Sequence, residues 1–294
     1  MTETSLSTAT SARTQHRVAL VGADITGSLS PALHEREANA LGLDYTYSLL
    51  DLNELPRGWT VREATGMTGF NITHPAKQRV LDQLDDLSPD ARDLGAVNTV
   101  TVTGGQLIGH NTDHTGFRTG LRHALPDAAL GRVLVVGAGG AGSAVGYALA
   151  RAGARVHLMD AETARAAALV ERLRAAVPTA EVTAVTPQRF TAALTEADGV
   201  VNATPIGMTG YPGTPFDAEE LTAAHWVADV VYRPRETELL TAARATGCRV
   251  VDGRAMLVAQ AAETLALLTG ATPDLDRMRH HDAALTTAAE NTDD

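Results

Sequence analysis

The stretch Val133-Leu134-Val135-Val136-Gly137-Ala138-Gly139-Gly140-Ala141-Gly142 decides how this chain is read. Four apolar residues run into a glycine, and glycines 137, 139 and 142 open an alanine-rich helical pattern over Ser143 to Ala152. A buried strand turning into a helix has this form. In the dinucleotide-binding fingerprint the first glycine permits the tight turn. The second lets the backbone approach a pyrophosphate, and the third lets the helix pack closely. The helix start behind them offers unpaired N–H groups and a positive dipole end to phosphates. The spacing alone is weak evidence; the strand before it, the helix after it and a further strand ending at Asp160 supply the context.

Asp160 falls about 20 residues beyond the loop, where this fold places a carboxylate on the adenosine ribose diol. A phosphorylated ribose there would face a like charge, worth about 4 kcal/mol per unit charge at about 4 Å and an effective dielectric near ~20. Asp160 therefore favours NAD over NADP. Two other readings stay open. Asp160 could simply cap the next helix, and Arg165 could fold over the adenine or neutralise a phosphate.

Outward from the loop, apolar runs alternate with helical patterns almost from end to end, which signals α/β architecture with parallel strands. After Gly131 the spacing predicts strands at Arg132–Val136, Arg155–Met159, Glu181–Val185, Gly199–Ala203, Val227–Val231 and Arg249–Val251. Before it, strands are predicted at Arg17–Gly22, Tyr45–Leu50 and Gly69–Ile72. Gly104-Gly105 reads as the turn of a hairpin between Val97–Val102 and Gln106–Gly109. Ser30-Pro31 looks like a helix cap followed by proline at the first helical position. A helix follows from about Thr115 to Leu125, and the chain closes with a long one from about Ala255 to Thr269 and an amphipathic stretch.

At 294 residues the chain fits two α/β domains. The expected order is a disordered leader over 1–15, a substrate-binding domain over 16–115 and a Rossmann-type dinucleotide-binding domain over 116–254. C-terminal helices over 255–285 and a disordered tail over 286–294 complete it. The composition is 44% hydrophobic but only 4% aromatic, so the core is built of Ala, Val and Leu. A net charge of −11 argues against nucleic acid or an anionic membrane as partner. The single cysteine, Cys248, excludes an intrachain disulfide and suits a reducing cytoplasm. No apolar stretch approaches the roughly 18 residues of a membrane span, and the first residues lack the apolar segment of a signal peptide.

Lys77 is the only lysine among 24 lysine and arginine residues. Arginine cannot give up its proton in a protein and an ammonium can, so this position is a candidate for acid–base chemistry. Its surroundings are Gly69-Phe70-Asn71-Ile72-Thr73-His74-Pro75-Ala76-Lys77. Further polar clusters are Ser28-Leu29-Ser30, Gly95-Ala96-Val97-Asn98-Thr99 and Gly109-His110-Asn111-Thr112-Asp113. Each has a bland alternative as a cap or turn. Together they set hydroxyls, amides, one amine and one carboxylate at strand ends and helix starts, as an α/β crevice does for a ligand. His110 and His114 stand four apart, but no further metal-ligand cluster accompanies them, and both are expected to be solvated.

These motifs, with GAGGAG at 137–142, Asn202-Ala203-Thr204-Pro205-Ile206-Gly207-Met208 and Ala255-Met256-Leu257-Val258-Ala259-Gln260, resemble the shikimate dehydrogenase family over about residues 17 to 280. The chain is similar in particular to the NAD-dependent quinate/shikimate dehydrogenases of actinobacteria. Two stretches depart from the NADP-linked biosynthetic branch. Gly22-Ala23-Asp24-Ile25-Thr26-Gly27 replaces an Asn-Pro-Ile-x-His stretch, and Asp160-Ala161-Glu162 replaces an Asn-Arg-Thr triplet.

The resemblance implies a cytoplasmic, monomeric or homodimeric NAD-dependent oxidoreductase. It would interconvert quinate or shikimate with their 3-dehydro forms. Lys77 and Asp113 would be the catalytic pair, and Ser28 and Ser30 would hold the substrate carboxylate. Thr73, Asn98 and Gln260 would hold ring hydroxyls, with Tyr232 nearby. On the cofactor side stand Gly137, Ala138, Gly139, Gly140, Ala141, Gly142, Asp160, Arg165, Thr204, Val230 and Gly253. The C-terminal helix bearing Gln260 would return to the first domain.

Oxidising a secondary alcohol needs a group in hydrogen-bond reach of the hydroxyl proton. Burial of Lys77 would favour its neutral form and a nearby carboxylate its charged form; the two groups are expected to titrate as one coupled pair. Lys77 is assigned as the acid–base and Asp113 as its orienting partner. The competing readings are an NADP-linked shikimate 5-dehydrogenase and a non-catalytic dinucleotide sensor, and the latter would have no reason to keep Lys77, Asp113 and the two serines together.

Overall fold

The computed structural model describes residues 14–290. The first half runs β1 (Gln15–Gly22), α1 (Ser30–Ala40), β2 (Asp44–Asp51), β3 (Gly69–Ile72), α2 (Ala76–Arg79), β4 (Asp86–Leu87), α3 (Pro89–Leu94), β5 (Thr99–Thr103) and β6 (Gln106–His110). Its sheet has the order β2-β1-β3-β5-β6-β4. β1 pairs in parallel with β2 and β3, β5 runs antiparallel to β3, and the turn at Gly104-Gly105 joins β5 to β6 as an antiparallel hairpin. The hairpin therefore makes this sheet mixed. It also brings the start of β5 to the same edge as the ends of β3 and β6.

The second half runs α4 (Asp113–Ala124), β7 (Arg132–Val136), α5 (Gly140–Arg151), β8 (Arg155–Met159), α6 (Thr163–Ala176), β9 (Val182–Ala184), α7 (Phe190–Thr195), β10 (Gly199–Asn202), β11 (Trp226–Asp229), α8 (Glu238–Ala245), β12 (Arg249–Val251), α9 (Gly253–Thr269) and α10 (Leu275–Glu290). This sheet is parallel throughout, in the order β12-β11-β10-β7-β8-β9. Its central strands β7, β10 and β11 are covered on both faces and are built mostly of apolar residues, whereas edge strand β9 is largely exposed. Val133, Val135, Val156 and Leu158 pack on one face with α5 and α6. Leu134 and Val136 pack on the other with Leu239 and Leu240. Strand order reverses between β7 and β10, and there a crevice opens at the carboxyl ends of the strands. Among the described residues no helix is long and apolar enough to cross a membrane.

α9 leaves the second sheet and packs along α4 and the first half. Two glycines one turn apart allow the approach. A methyl group at Gly116 would meet the Gln260 backbone nitrogen at 2.8 Å, and one at Gly120 the Ala255 carbonyl oxygen at 2.6 Å. Leu265 and Leu268 then join Val18, Leu20 and Tyr47 in the core under β1 and β2. α10 is tied to α9 by the ion pair of Arg254 and Asp282, whose side chains are 5% and 7% exposed. Removing one member of such a pair leaves the other charge buried alone. Asp282→Ala is therefore expected to cost about 3–5 kcal/mol in a urea unfolding series; a loss below about 1 kcal/mol, the value of a surface pair, would contradict that.

Several local expectations are corrected. Gln15, expected in the leader, is already in β1, because β2 begins at Asp44 and the register pairs the two. Residues 1–13 lie outside the described residues. Residues 286–290, expected in the tail, are helical: Thr286 and Thr287 donate to the carbonyls of Asp282 and Ala283, and the alanines between favour helix. Residues 291–294 lie outside the described residues. Ser30 caps nothing; Leu29 already has helical backbone angles, and the Ser30 N–H donates to Ser28 Oγ at 3.2 Å. His114 is not solvated but buried, and His110 is half-buried with its Nε2 3.2 Å from Thr101 Oγ1.

Candidate active site

The two halves enclose a cleft of about 950 Å³. On the side of the first sheet, Lys77 stands on α2 just after β3, and Asp113 is the first residue of α4 just after β6. Adjacent strands join them. Ile72 N–H donates to the Asn98 carbonyl at 2.8 Å, and Asn98 N–H to the His110 carbonyl at 3.0 Å. Lys77 Nζ donates to Asp113 Oδ2 at 2.6 Å. Both residues line the cleft, and their side chains are 33% and 13% exposed, so the amine is the more open of the two. Asp113 does not cap its helix. Its other oxygen, Oδ1, accepts from Asn98 Nδ2 at 2.9 Å.

Asn98 is itself fully engaged. Its amide also reaches Thr112 Oγ1 at 2.9 Å, and its oxygen accepts the Thr112 N–H at 2.8 Å and the Thr99 hydroxyl at 3.1 Å. From α9, Gln260 Oε1 lies 3.4 Å from both Asn98 Nδ2 and Thr112 Oγ1. One turn further on, Thr264 Oγ1 meets Thr99 Oγ1 at 2.9 Å and Thr112 Oγ1 at 3.2 Å. Below, Asn71 donates to the Asn98 carbonyl at 3.2 Å and accepts the Tyr47 hydroxyl at 2.8 Å. A buried network this well satisfied fixes its members in place. Thr99 and Thr112 belong to the polar clusters of the sequence but carried no individual role there, and Thr264 and Tyr47 were not singled out. The one signal was that Thr264 stands four residues after Gln260, on the same helix face.

Ser28, Ser30 and Thr73 also line the cleft, and Tyr232 stands at its rim, 46% exposed. His34 lies on the floor, but burial pushes its imidazole down to about 3, so it brings no charge.

Across the cleft is the glycine-rich turn. Gly137 has φ +105°, and a methyl group at Gly142 would stand 1.9 Å from the Gly137 carbonyl oxygen, so the turn closes tightly on the first turn of α5. At Gly139 and Gly140 an added methyl would meet nothing within 4 Å. Ala138, Gly139, Gly140 and Ala141 line the cleft with Ser143, whose buried hydroxyl has no hydrogen-bond partner among the described residues. Open backbone, a helix start and an orphaned hydroxyl facing the space fit the pyrophosphate of a dinucleotide. Val230 and Gly253 line the cleft on the same side, packed so closely that a methyl at Gly253 would stand 2.5 Å from the Val230 carbonyl oxygen. Buried Asp229 precedes Val230; desolvation pushes its carboxyl up to about 6, against hydrogen bonds from Val231, Thr237 and Asn202.

Gly137, Gly142, Asp160, Arg165 and Thr204 lie outside the cleft lining. The two glycines stand behind the turn. Asp160 is at its edge, where Oδ2 accepts the Ala138 N–H at 2.8 Å and Oδ1 the Glu162 N–H at 2.9 Å. Arg165 is not over the turn; it pairs with Glu162 at 2.7 Å on the exposed first turn of α6. Thr204 donates to Asn202 Oδ1 at 2.7 Å and accepts the Ile206 N–H at 3.1 Å.

Comparison with known proteins bears on both halves. Residues 20–100 match the shikimate dehydrogenase substrate binding domain, and residues 133–208 the saccharopine dehydrogenase NADP binding domain. The chain is 50% identical to a shikimate dehydrogenase (NADP(+)) of Pseudarthrobacter chlorophenolicus, over 93% of this chain and 96% of the relative. It is 47% identical to a quinate/shikimate dehydrogenase (NAD(+)) of Corynebacterium efficiens, over 88% and 95%. The solved quinate dehydrogenase of Corynebacterium glutamicum in complex with NAD superposes with a TM-score of 0.87 at 43% identity, covering 92% of this chain and 99% of that one.

Proposed function

The chain belongs to the shikimate dehydrogenase family, and from that premise we propose that it is an NAD-dependent quinate/shikimate dehydrogenase. It oxidises a ring hydroxyl of quinate or shikimate to the 3-dehydro form, and runs in reverse. The observation that carries this reading is the Lys77–Asp113 pair at 2.6 Å, opening on a cleft whose opposite wall is the glycine-rich turn.

When bound, NAD supplies the hydride acceptor for the carbinol carbon. The hydroxyl proton passes to the Lys77–Asp113 pair, which holds it as a unit; in reverse, the Lys77 ammonium returns it to the carbonyl oxygen. Asp113 orients the amine, and Asn98 orients Asp113. Ser28 and Ser30 hold the substrate carboxylate, which needs local donors because the chain as a whole is negative. Thr73 and Gln260 hold ring hydroxyls, Asn98 joins them by exchanging one of its present partners for the substrate, and Tyr232 stands at the entrance. Ala138 to Ala141, Val230 and Gly253 contact the dinucleotide, with Gly137, Gly142 and Thr204 shaping the turn behind them.

Asp160 supports NAD. Its carboxylate is fixed at the edge of the turn by two backbone N–H groups, where a ribose phosphate would meet it. Arg165 is already paired with Glu162 and leaves that charge uncompensated. A second reading, an NADP-linked shikimate dehydrogenase, is favoured by the name of the relative at 50% identity. Initial rates with each cofactor and each acid separate the two. The expected result is turnover of both acids with NAD and a kcat/KM for NADP lower by about 10²-fold or more. Higher kcat/KM with NADP would favour the second reading, and no turnover in any combination would overturn both.

A further inference from the structure

Tyr147 is fully buried in α5, yet its hydroxyl leaves that helix and enters the first half of the molecule. It donates to Asp90 Oδ1 at 2.8 Å and Asp93 Oδ2 at 2.9 Å, both on α3. A phenol has one proton, so the two carboxylates share it. The ring meets His114 edge-on, with centroids 5.1 Å apart, and His114 Nε2 lies 3.4 Å from Asp90 Oδ2. The Arg151 guanidinium stands over the ring, 5.8 Å from its centroid, and adds a cation to the node. Leu94, Phe117, Leu121 and Val145 belong to the same buried apolar cluster, so these polar groups meet at the margin of a hydrophobic core.

The three helices that meet here begin or end at the cleft. α3 leads directly into the segment carrying Asn98, α4 begins with Asp113 next to His114, and α5 begins at the glycine-rich turn. Tyr147 lies two turns into α5, about 10 Å along the helix from that turn. A side chain anchored to α3 at this depth holds the turn at a set distance from Asp113 and Lys77.

We propose that Tyr147 is a positioning residue for hydride transfer, its hydroxyl fixing the glycine-rich turn relative to the Lys77–Asp113 pair through Asp90 and Asp93. The proposal rests on the dehydrogenase reading for its kinetic consequence but not for its structural one. Losing the tie widens the spread of donor–acceptor distances, and small misplacements of reacting atoms slow the chemical step steeply. Ligand affinity changes less, because neither Tyr147 nor its partners line the cleft.

The test is Tyr147→Phe, alongside a second variant carrying Asp90→Ala and Asp93→Ala, which removes both acceptors from a half-exposed helix and leaves the core ring intact. In both, kcat is expected to fall about tenfold with KM values within about twofold of wild type. The deuterium isotope effect on kcat, with substrate labelled at the reacting carbon, is expected to exceed the wild-type value. Amide exchange over residues 138–143 is expected to quicken about threefold or more. Unchanged kcat and isotope effect with a lowered melting temperature would overturn the proposal and leave Tyr147 a packing residue. If the wild type turns over neither acid, the dehydrogenase reading fails on its own. Amide exchange then decides the positioning role, and unchanged exchange in both variants would overturn it.

Discussion

Lys77→Ala is expected to lower kcat by about 10³-fold while KM values for acid and cofactor stay within about threefold. The amine is the one titratable cation facing the reacting space from α2, and it meets Asp113 at 2.6 Å. Removing it deletes the group that takes the hydroxyl proton, an effect felt in the transition state more than in binding. The fold should survive, since the side chain is one-third exposed and Asp113 keeps its bond from Asn98. Lys77→Arg separates charge from proton transfer. A guanidinium can pair with Asp113 and preserve the electrostatics, but it cannot shed a proton, so this variant is expected to fail as badly as alanine. Stopped-flow or steady-state NADH absorbance reads both. Turnover in Lys77→Arg near the wild-type value would mean that the site needs only a positive charge.

Asp160→Asn is expected to raise kcat/KM for NADP by about 10²-fold and to lower that for NAD by about tenfold. The substitution is nearly isosteric. Asparagine's oxygen can still accept one of the two backbone N–H bonds, from Ala138 or Glu162, so the turn keeps its shape. What disappears is the charge, and with it the repulsion of a phosphorylated ribose. Water screens part of that repulsion, which is why the expected gain stays below the full ~4 kcal/mol of a close pair at an effective dielectric near ~20. The loss with NAD follows from a weaker acceptor for the ribose diol. Measured in parallel, the two ratios should move in opposite directions. Equal changes for both cofactors would mean that Asp160 supports the turn and takes no part in selection.

The second sheet was readable from sequence mainly because its central strands are buried on both faces. Arg132–Val136, Arg155–Met159 and Arg249–Val251 are short, mostly apolar runs bounded by turn residues, and they form strands with those bounds. Elements lacking such runs were not readable. β4 has two residues and depends on pairing with β6; α3 has six, capped locally by Ser88 and ended by Gly95, and is too short to show a helical period. The polar residues of the site could be nominated, since few roles suit amides, hydroxyls and one lysine at strand ends. Their joining could not be derived. Lys77 and Asp113 meet only because the hairpin sets β5 between β3 and β6. Gln260 arrives because Gly116 and Gly120 leave α4 bare along one side. Tyr147 gave no signal at all, being an aromatic in a helix expected to be apolar, with partners far away in sequence.

The measurement that bears most directly on the central claim is chemical rescue. The side chain removed in Lys77→Ala opens on a cleft of about 950 Å³, wide enough to admit a small primary amine. Adding methylamine or ethylamine to that variant, with quinate and NAD saturating, should restore turnover at least tenfold in proportion to the amine supplied. The slope should vary with the basicity of the amine. A variant that turns over within twofold of wild type without any added amine would contradict the assignment of Lys77 as the group that carries the proton.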